Sequence, residues 1–249
     1  MTRGIAALLL SLLLPLSVGA DTVQVAVASN FGGAMKEIAK SFRKDTGHEV
    51  TIMAAGTGKL YAQIRNGAPF EVLLSADDKT PKKLEAEGLA VPGTRFTYAL
   101  GKLVLWSARP NTVDREGQVL RQGHFAHLSL GNPKTVPYGQ AAVEVLRHLG
   151  LYEELESRFV LGENVAHAQQ FVDSGNAELG FVAKSGVYKD GRLISGSAWW
   201  IPDSLYSPMR QDAVLLKQGE HNAAARALLT YLRQPAARAI MTALGYGSE

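Results

Sequence analysis

The sequence predicts an α/β fold of two lobes, each built on a mostly parallel sheet flanked by helices. Three observations predict it: short apolar strands alternate with amphipathic helices, the pattern restarts near the middle, and the C-terminal residues add one strand and two helices. Alternation of strand and helix is typical of parallel sheets covered by helices. The restart and the C-terminal return predict two crossings between the lobes, near residues 98–101 and 206–211.

The first lobe is predicted from alternating and helical spacings. Val23, Val25 and Val27 alternate as in a strand, and Met35 and Phe42 belong to an apolar series at helical spacing. The predicted elements of this lobe are a strand at 23–27, a helix at 35–42 that Gly47 ends, a strand at 50–52, a helix at 60–64, a strand at 70–75, and a helix through Leu84 with Asp77 or Asp78 as its N-cap.

The second half repeats the alternation and then returns to the first lobe. The predicted elements here are strands at 103–106, 127–130 and 178–183, a helix at 139–149 that ends at Gly150, a final strand at 213–216, and two helices within 222–244. The predicted division is therefore a leader at 1–20, the first lobe at 21–99 and 210–249, and the second lobe at 100–209.

The first twenty residues have the features of a signal peptide. Arg3 supplies a positive charge, residues 5–14 form a short apolar run, and residues 18–20 fit a small-x-small cleavage site. A run of this length is shorter than the roughly 20 residues that a membrane span needs. We expect cleavage after Ala20 and a soluble periplasmic protein.

Composition excludes several classes of protein. The chain has no cysteine, so it has no disulfides and no acylated cysteine to anchor a lipoprotein. Loss of the leader removes Arg3 and leaves 25 basic against 23 acidic residues, scattered among one another. A nucleic-acid-binding protein needs a concentrated basic surface, so we expect no nucleic-acid partner.

Four loops have the placement and chemistry of an anion site. They are Ser29-Asn30, Gly56-Thr57-Gly58, Pro137-Tyr138-Gly139 and Glu163-Asn164-Val165. Ligands of open α/β sheets gather beyond the carboxyl ends of strands, where helix N-termini present free N–H groups. Hydroxyl and N–H groups are neutral donors, which suit an anion with no proton to donate. Ser and Asn also cap ordinary helices, so each loop alone is weak evidence.

Around these loops the sequence resembles the molybdate- and tungstate-binding proteins of ABC transporters, which have the two-lobed periplasmic-binding-protein fold. The resemblance covers the whole mature chain in order. The matching segments are VAVASNF at 25–31, GTGKLYAQI at 56–64, NGAP at 66–69, LSAD at 74–77, GKLVLWS at 101–107, NP at 132–133, PYG at 137–139, ENV at 163–165, LGFVA at 179–183 and QDAV at 211–214.

The resemblance implies a set of ligands for one oxyanion in the cleft between the lobes. It implies contacts from the hydroxyl and N–H groups of Ser29 and Thr57, and a contact from Asn30. It also implies backbone N–H contacts from Tyr138 and Val165. It also implies a monomer that catalyses nothing, needs no cofactor or directly bound metal, and delivers molybdate or tungstate to a membrane permease and its ATPase.

One position departs from some members of the family. They carry a tyrosine hydroxyl donor just after a strand of the second lobe, and Ala183 stands at that position here. Tyr138 stands where those members have a small residue. Its hydroxyl either replaces the missing donor or leaves the contact to its backbone N–H alone.

Two alternatives remain at this stage. A sulfate- or phosphate-binding protein would share the fold and differ in the anion that stabilises it. A penicillin-recognising serine enzyme would use Ser41-x-x-Lys44, Ser174-Gly175-Asn176 and Lys184-Ser185-Gly186. Against the enzyme, Ser41 is expected in the last turn of its helix, where the helix dipole opposes an oxyanion, and the other two motifs are close together in sequence.

Overall fold

The computed structural model describes residues 21–248, so the predicted leader and its cleavage site lie outside the described residues. Between 21 and 248, no helix combines the length and the apolar character that crossing a membrane requires. The two five-stranded sheets of this region confirm the predicted α/β fold with two lobes.

The first sheet forms from both ends of the chain. Its strands follow the order β2-β1-β3-β12-β4, and β1, β2 and β3 are parallel while β12 runs antiparallel to both of its neighbours. The N-terminal part of this lobe contains β1 (Thr22–Ala28), α1 (Gly32–Thr46), β2 (Glu49–Ala55), α2 (Thr57–Arg65), β3 (Val72–Leu74), α3 (Lys79–Ala86) and β4 (Phe96–Gly101).

The second sheet forms from the middle of the chain and has the same plan. Its order is β11-β5-β8-β6-β7, with β6, β7 and β8 parallel and β5 antiparallel to its neighbours. Its lobe contains β5 (Leu103–Ser107), α4 (Val119–Gln122), β6 (Leu128–Gly131), α5 (Pro137–His148), α6 (Tyr152–Leu155), β7 (Phe159–Gly162), α7 (Val165–Asp173), β8 (Leu179–Ala183), α8 (Lys184–Val187), β9 (Tyr188–Lys189), β10 (Arg192–Leu193) and β11 (Ser197–Trp200).

The chain then returns to the first sheet through β12 (Met209–Leu215), α9 (Ala223–Tyr231) and α10 (Pro235–Ala243). β12 pairs with β4 so that Met209 faces Gly101, and β5 begins two residues after β4. The Tyr206 hydroxyl accepts a hydrogen bond from the Leu103 backbone N–H at 3.3 Å. The two segments that join the sheets therefore lie side by side.

Each sheet separates two apolar layers. In the first lobe, Val23, Val25 and Val27 face α1 and the C-terminal helices, while Ala26 faces the layer that contains Leu60 of α2. The large core of the second lobe also includes Ala28 from the end of β1. The carboxyl end of a first-lobe strand therefore packs directly against the second lobe.

Local details differ from the sequence prediction for identifiable reasons. α5 begins at Pro137 rather than at residue 139, because proline is favoured at the first helical position, where no N–H is needed. Residues 98–101, near which a crossing is predicted, belong to strand β4 because β12 is available to pair with them. Trp199 and Trp200 differ in burial on the edge strand β11: Trp199 is buried and Trp200 is 44% exposed.

Candidate functional site

Four strands end at the cleft between the lobes, and each is followed by the amino end of a helix. Ser29 and Asn30 form a single 3-10 turn after β1, and Thr57 is the first residue of α2 after β2. In the second lobe, Tyr138 is the second residue of α5, and Val165 is the first residue of α7. Each predicted site residue therefore lies after the end of a strand, either in the turn that follows the strand or in the first turn of the next helix.

The two lobes touch at these loops. The Gly58 backbone N–H donates to the Thr135 carbonyl at 3.3 Å. The Ser185 hydroxyl donates to the Asn30 carbonyl at 3.1 Å. A Cβ atom added at Gly56 would lie 2.7 Å from the Glu163 carbonyl oxygen, so that only glycine permits this approach. The structure is therefore the closed arrangement of the two lobes.

A cavity of about 290 Å³ lies between the lobes beside these contacts. It brings together Ser29 and Asn30 of the first lobe with Val165 of the second, whereas Thr57 and Tyr138 do not line it. The other residues that line it are Gly33, Ala166, Gln169, Ala183, Ser185 and Gly186. None of these side chains carries a charge. An anion held here has its charge balanced by dipoles and hydrogen-bond donors rather than by a cation.

Helix geometry leaves the N–H groups of three predicted site residues without a partner inside their own helices. The first four N–H groups of an α-helix have no partner within the helix, and Thr57, Tyr138 and Val165 occupy such positions in α2, α5 and α7. Thr57 is 3% exposed, and its hydroxyl oxygen accepts from the Ala76 backbone N–H at 3.3 Å. That bond orients the hydroxyl and leaves its proton for donation.

The Tyr138 hydroxyl points into a buried group of polar side chains. Its oxygen accepts from the Gln211 Nε2 at 3.0 Å and from the Asn30 Nδ2 at 3.4 Å. Burial raises the pKa of the Tyr138 hydroxyl well above its usual range, so the hydroxyl stays protonated. The structure therefore gives this hydroxyl two protein partners beside the proposed site.

Ala183, where some family members carry a tyrosine donor, lines the cavity at the end of β8. Two residues later the second lobe brings Ser185 to the same cavity. The Ser185 hydroxyl accepts from the Tyr246 hydroxyl at 3.0 Å and donates to the Asn30 carbonyl. Sequence reasoning named Ser185 only within the enzyme alternative and did not predict it at this site.

Three further residues near the site were not predicted as functional. Gln211, Tyr98 and Tyr246 surround Asn30 and Tyr138, with Gln211 fully buried. Gln211 belongs to the QDAV segment that matches the family, which is the one signal that could have drawn attention to it. Its contact with the Asn30 side chain could not be predicted from local sequence, because the two residues are 181 positions apart.

The motifs of the serine-enzyme alternative do not meet. Ser41 lies one turn before the last turn of α1, not in the last turn as expected. The Ser174 hydroxyl caps the end of α7 through the Gln170 carbonyl. The Lys184 ammonium lies over the Tyr188 ring at 4.2 Å from its centroid. In residues 21–248 no group of three or more His, Cys, Asp or Glu side chains is placed to hold a metal ion.

Comparison with known proteins identifies relatives over almost the full chain. The molybdate-binding protein ModA of Azotobacter vinelandii is 58% identical over 237 residues, which cover 95% of this chain and 94% of the relative. ModA of Rhodobacter capsulatus is 49% identical over 99% of this chain and 96% of the relative. The solved structure of the Azotobacter vinelandii periplasmic molybdate-binding protein superposes with a TM-score of 0.88 at 43% identity, covering 91% of this chain and 99% of that one.

The family model for bacterial extracellular solute-binding proteins matches residues 23–247, nearly all of the part that the structure describes. Neither the family nor these relatives support the enzyme alternative. The chain therefore belongs to the bacterial extracellular solute-binding protein family and, within it, to the group of the periplasmic molybdate-binding proteins.

Proposed function

We propose that the protein captures molybdate, or its nearly isosteric analogue tungstate, between its two lobes in the periplasm and delivers it to the permease and ATPase of an ABC importer. The observation that carries this proposal is a closed cleft where neutral donors from both lobes converge and no charged side chain lines the cavity. The names of the relatives, molybdate-binding proteins, agree with it. In this proposal the free protein is a monomer cleaved after Ala20.

The proposed lobes are residues 21–99 with 210–249, and residues 100–209. The proposed ligands from the first lobe are the hydroxyl and N–H groups of Ser29 and Thr57, together with Asn30. The second lobe contributes the backbone N–H groups of Tyr138 and Val165. Because each lobe supplies part of the set, the anion favours the closed state by binding it better than the open one.

The donor set also explains how the site distinguishes anions. Phosphate near neutral pH carries a proton that needs an acceptor, and a site made only of donors leaves that proton unpaired. Sulfate has the same charge as molybdate but is smaller, so donors held at molybdate distances fall short of it. A misfit of a few tenths of an ångström weakens a hydrogen bond measurably.

Thermal unfolding with a panel of oxyanions tests the proposed function. At a ligand concentration a thousandfold above Kd, binding adds about 4 kcal/mol of stability, which raises Tm on the order of 10 °C for a protein of this size. Molybdate and tungstate are each expected to produce such a shift, and sulfate and phosphate at equal concentration to produce little. A sulfate or phosphate shift as large as that of molybdate would assign the protein to the other anion class.

The first-lobe hydroxyls are expected to contribute strongly to affinity. Ser29→Ala and Thr57→Ala each remove a donor to a charged oxygen, which is worth about 1.5–3 kcal/mol. Calorimetry should therefore show molybdate affinity reduced roughly tenfold to a hundredfold in each variant. Ser174→Ala and Thr51→Ala, at exposed positions away from the cleft, are matched controls. Unchanged affinity in both site variants would place the site elsewhere.

A further inference from the structure

The turn after β8 carries a residue whose side chain bonds to the other lobe. Ser185 lies in α8, is half-buried and lines the cavity. Its hydroxyl donates to the Asn30 carbonyl at 3.1 Å and accepts from the Tyr246 hydroxyl at 3.0 Å. Asn30 and Tyr246 both belong to the first lobe. Both hydrogen bonds of this hydroxyl therefore join the two lobes.

The first-lobe side of this contact is held in place without Ser185. The Tyr246 hydroxyl also donates to the Asn30 carbonyl, at 2.7 Å, so its single proton is shared between two acceptors. The Tyr246 side chain is buried, and its ring packs edge-on against the Phe31 ring with 5.3 Å between the centroids. Burial raises the pKa of the Tyr246 hydroxyl above its usual range, so this group stays protonated and remains a donor.

The second-lobe side is held by the helix that begins at Val165. Gln169 lies one turn after Val165 in α7, and its Nε2 donates to the Gly186 carbonyl at 3.2 Å. A Cβ atom at Gly186 would lie 2.1 Å from the Gln169 Oε1, so the two residues are in close contact. The position of Ser185 is therefore coupled to that of Val165. Through Ser185, Asn30 of the first lobe is connected to Val165 of the second.

Residues 184–190, here called the latch segment, extend this contact along the first lobe. The Asp190 backbone N–H donates to the Ala243 carbonyl at 2.9 Å. A Cβ atom at Gly245 would lie 2.8 Å from the Cδ1 of the Tyr188 ring, so the ring lies against the first-lobe backbone. The latch segment therefore contacts the first lobe from the anion site as far as the end of α10.

We propose that the latch segment stabilises the closed state through the Ser185 hydroxyl and so slows release of the bound anion. The inference rests on the proposed function, because it requires that the anion favours closure. Ser185 is a positioning residue in this proposal. Its single proton is donated to the Asn30 carbonyl, so it has none to donate to an oxyanion.

The effect is expected on dissociation because the two bonds of Ser185 form last. An anion meets the open protein before either bond exists, so the association rate does not depend on this hydroxyl. Release requires the lobes to separate, which breaks both bonds. The separated groups regain hydrogen bonds with water, so the net contribution of each bond is modest.

Stopped-flow kinetics of molybdate binding and release test the proposal. Ser185→Ala is expected to release molybdate about tenfold faster than the wild type and to bind it at a rate within about twofold of the wild type. Ser174→Ala is the matched control, because the Ser174 hydroxyl donates to carbonyls of α7 in its own lobe. Release at the wild-type rate in Ser185→Ala overturns the proposal.

Tyr246→Phe distinguishes the latch from a direct contact between Ser185 and the anion. This variant loses the hydroxyl that donates to Ser185 and is expected to release molybdate about threefold faster than the wild type. The double variant should release it no faster than Ser185→Ala, because without Ser185 the Tyr246 hydroxyl donates only within the first lobe. Release about thirtyfold faster than the wild type in the double variant shows independent contributions and overturns the proposal.

Thermal unfolding separates the latch from general support of the fold. Without molybdate, Ser185→Ala should have the Tm of the wild type, because the open form lacks the bonds between the lobes. With saturating molybdate its Tm should be lower than that of the wild type. An equal loss of Tm with and without molybdate contradicts the latch.

Hydrogen exchange in the wild-type protein covers the case in which the variants do not fold. The Asp190 amide proton, which is bonded across the lobes to the Ala243 carbonyl, should exchange about tenfold more slowly when molybdate is added. An unchanged exchange rate in protein that binds molybdate overturns the latch alone. Wild-type protein that binds no molybdate overturns the proposed function instead.

Discussion

Gly56→Ala is expected to weaken molybdate binding about a hundredfold or more while leaving the unliganded fold intact. The backbone at Gly56 (φ −67°, ψ 144°) is one that any residue adopts, so alanine causes no strain within the first lobe. Its Cβ would nevertheless lie 2.7 Å from the Glu163 carbonyl oxygen of the second lobe. Because that neighbour is backbone and not a flexible side chain, the closed state loses stability relative to the open state, and affinity falls with it.

Calorimetry and small-angle scattering together check this expectation. In the wild type, saturating molybdate should reduce the radius of gyration relative to the open free state, and in Gly56→Ala the reduction should be smaller or absent. Gly32→Ala is the matched control, because its Cβ meets only Ala54 of the same lobe at an ordinary 3.5 Å. Wild-type affinity and closure in Gly56→Ala would contradict the assignment of this contact to the interface between the lobes.

Gly139→Ala is expected to destabilise the protein by about 3 kcal/mol or more, a large fraction of the typical total of about 5–15 kcal/mol. A Cβ atom at Gly139 would lie 1.9 Å from the Gly131 carbonyl oxygen and 2.7 Å from its carbon. Both atoms are backbone, so relief requires moving α5 away from β6. That movement would open the core of the second lobe and displace the Tyr138 backbone N–H.

Unfolding by urea measures this effect, and the matched control is another glycine-to-alanine change near the start of a helix. Gly33 of α1 has nothing within 4 Å of an added Cβ, and alanine has the higher helix propensity. Gly33→Ala is therefore expected to leave stability unchanged or to raise it slightly. Equal stabilities for Gly139→Ala and Gly33→Ala would show that α5 can shift without cost.

Much of the architecture was predictable because it depends on local patterns. The alternation of Val23, Val25 and Val27, the helical spacing from Met35 to Phe42, and the helix-ending Gly47 each specify an element from neighbouring residues. β4 was missed because its pairing with β12 joins distant parts of the chain.

By itself, the sequence determined the fold class, the family and the positions of Ser29, Asn30, Thr57, Tyr138 and Val165 after strands or at helix starts. All of these follow from contiguous segments. Only the tertiary structure decided that the lobes close onto Gly56 and that Gln211 lies between Asn30 and Tyr138. Hydrogen bonds depend on distances of a few ångströms between groups far apart in the chain. No local spacing encodes those distances, which arise only when both sheets and their crossings are assembled.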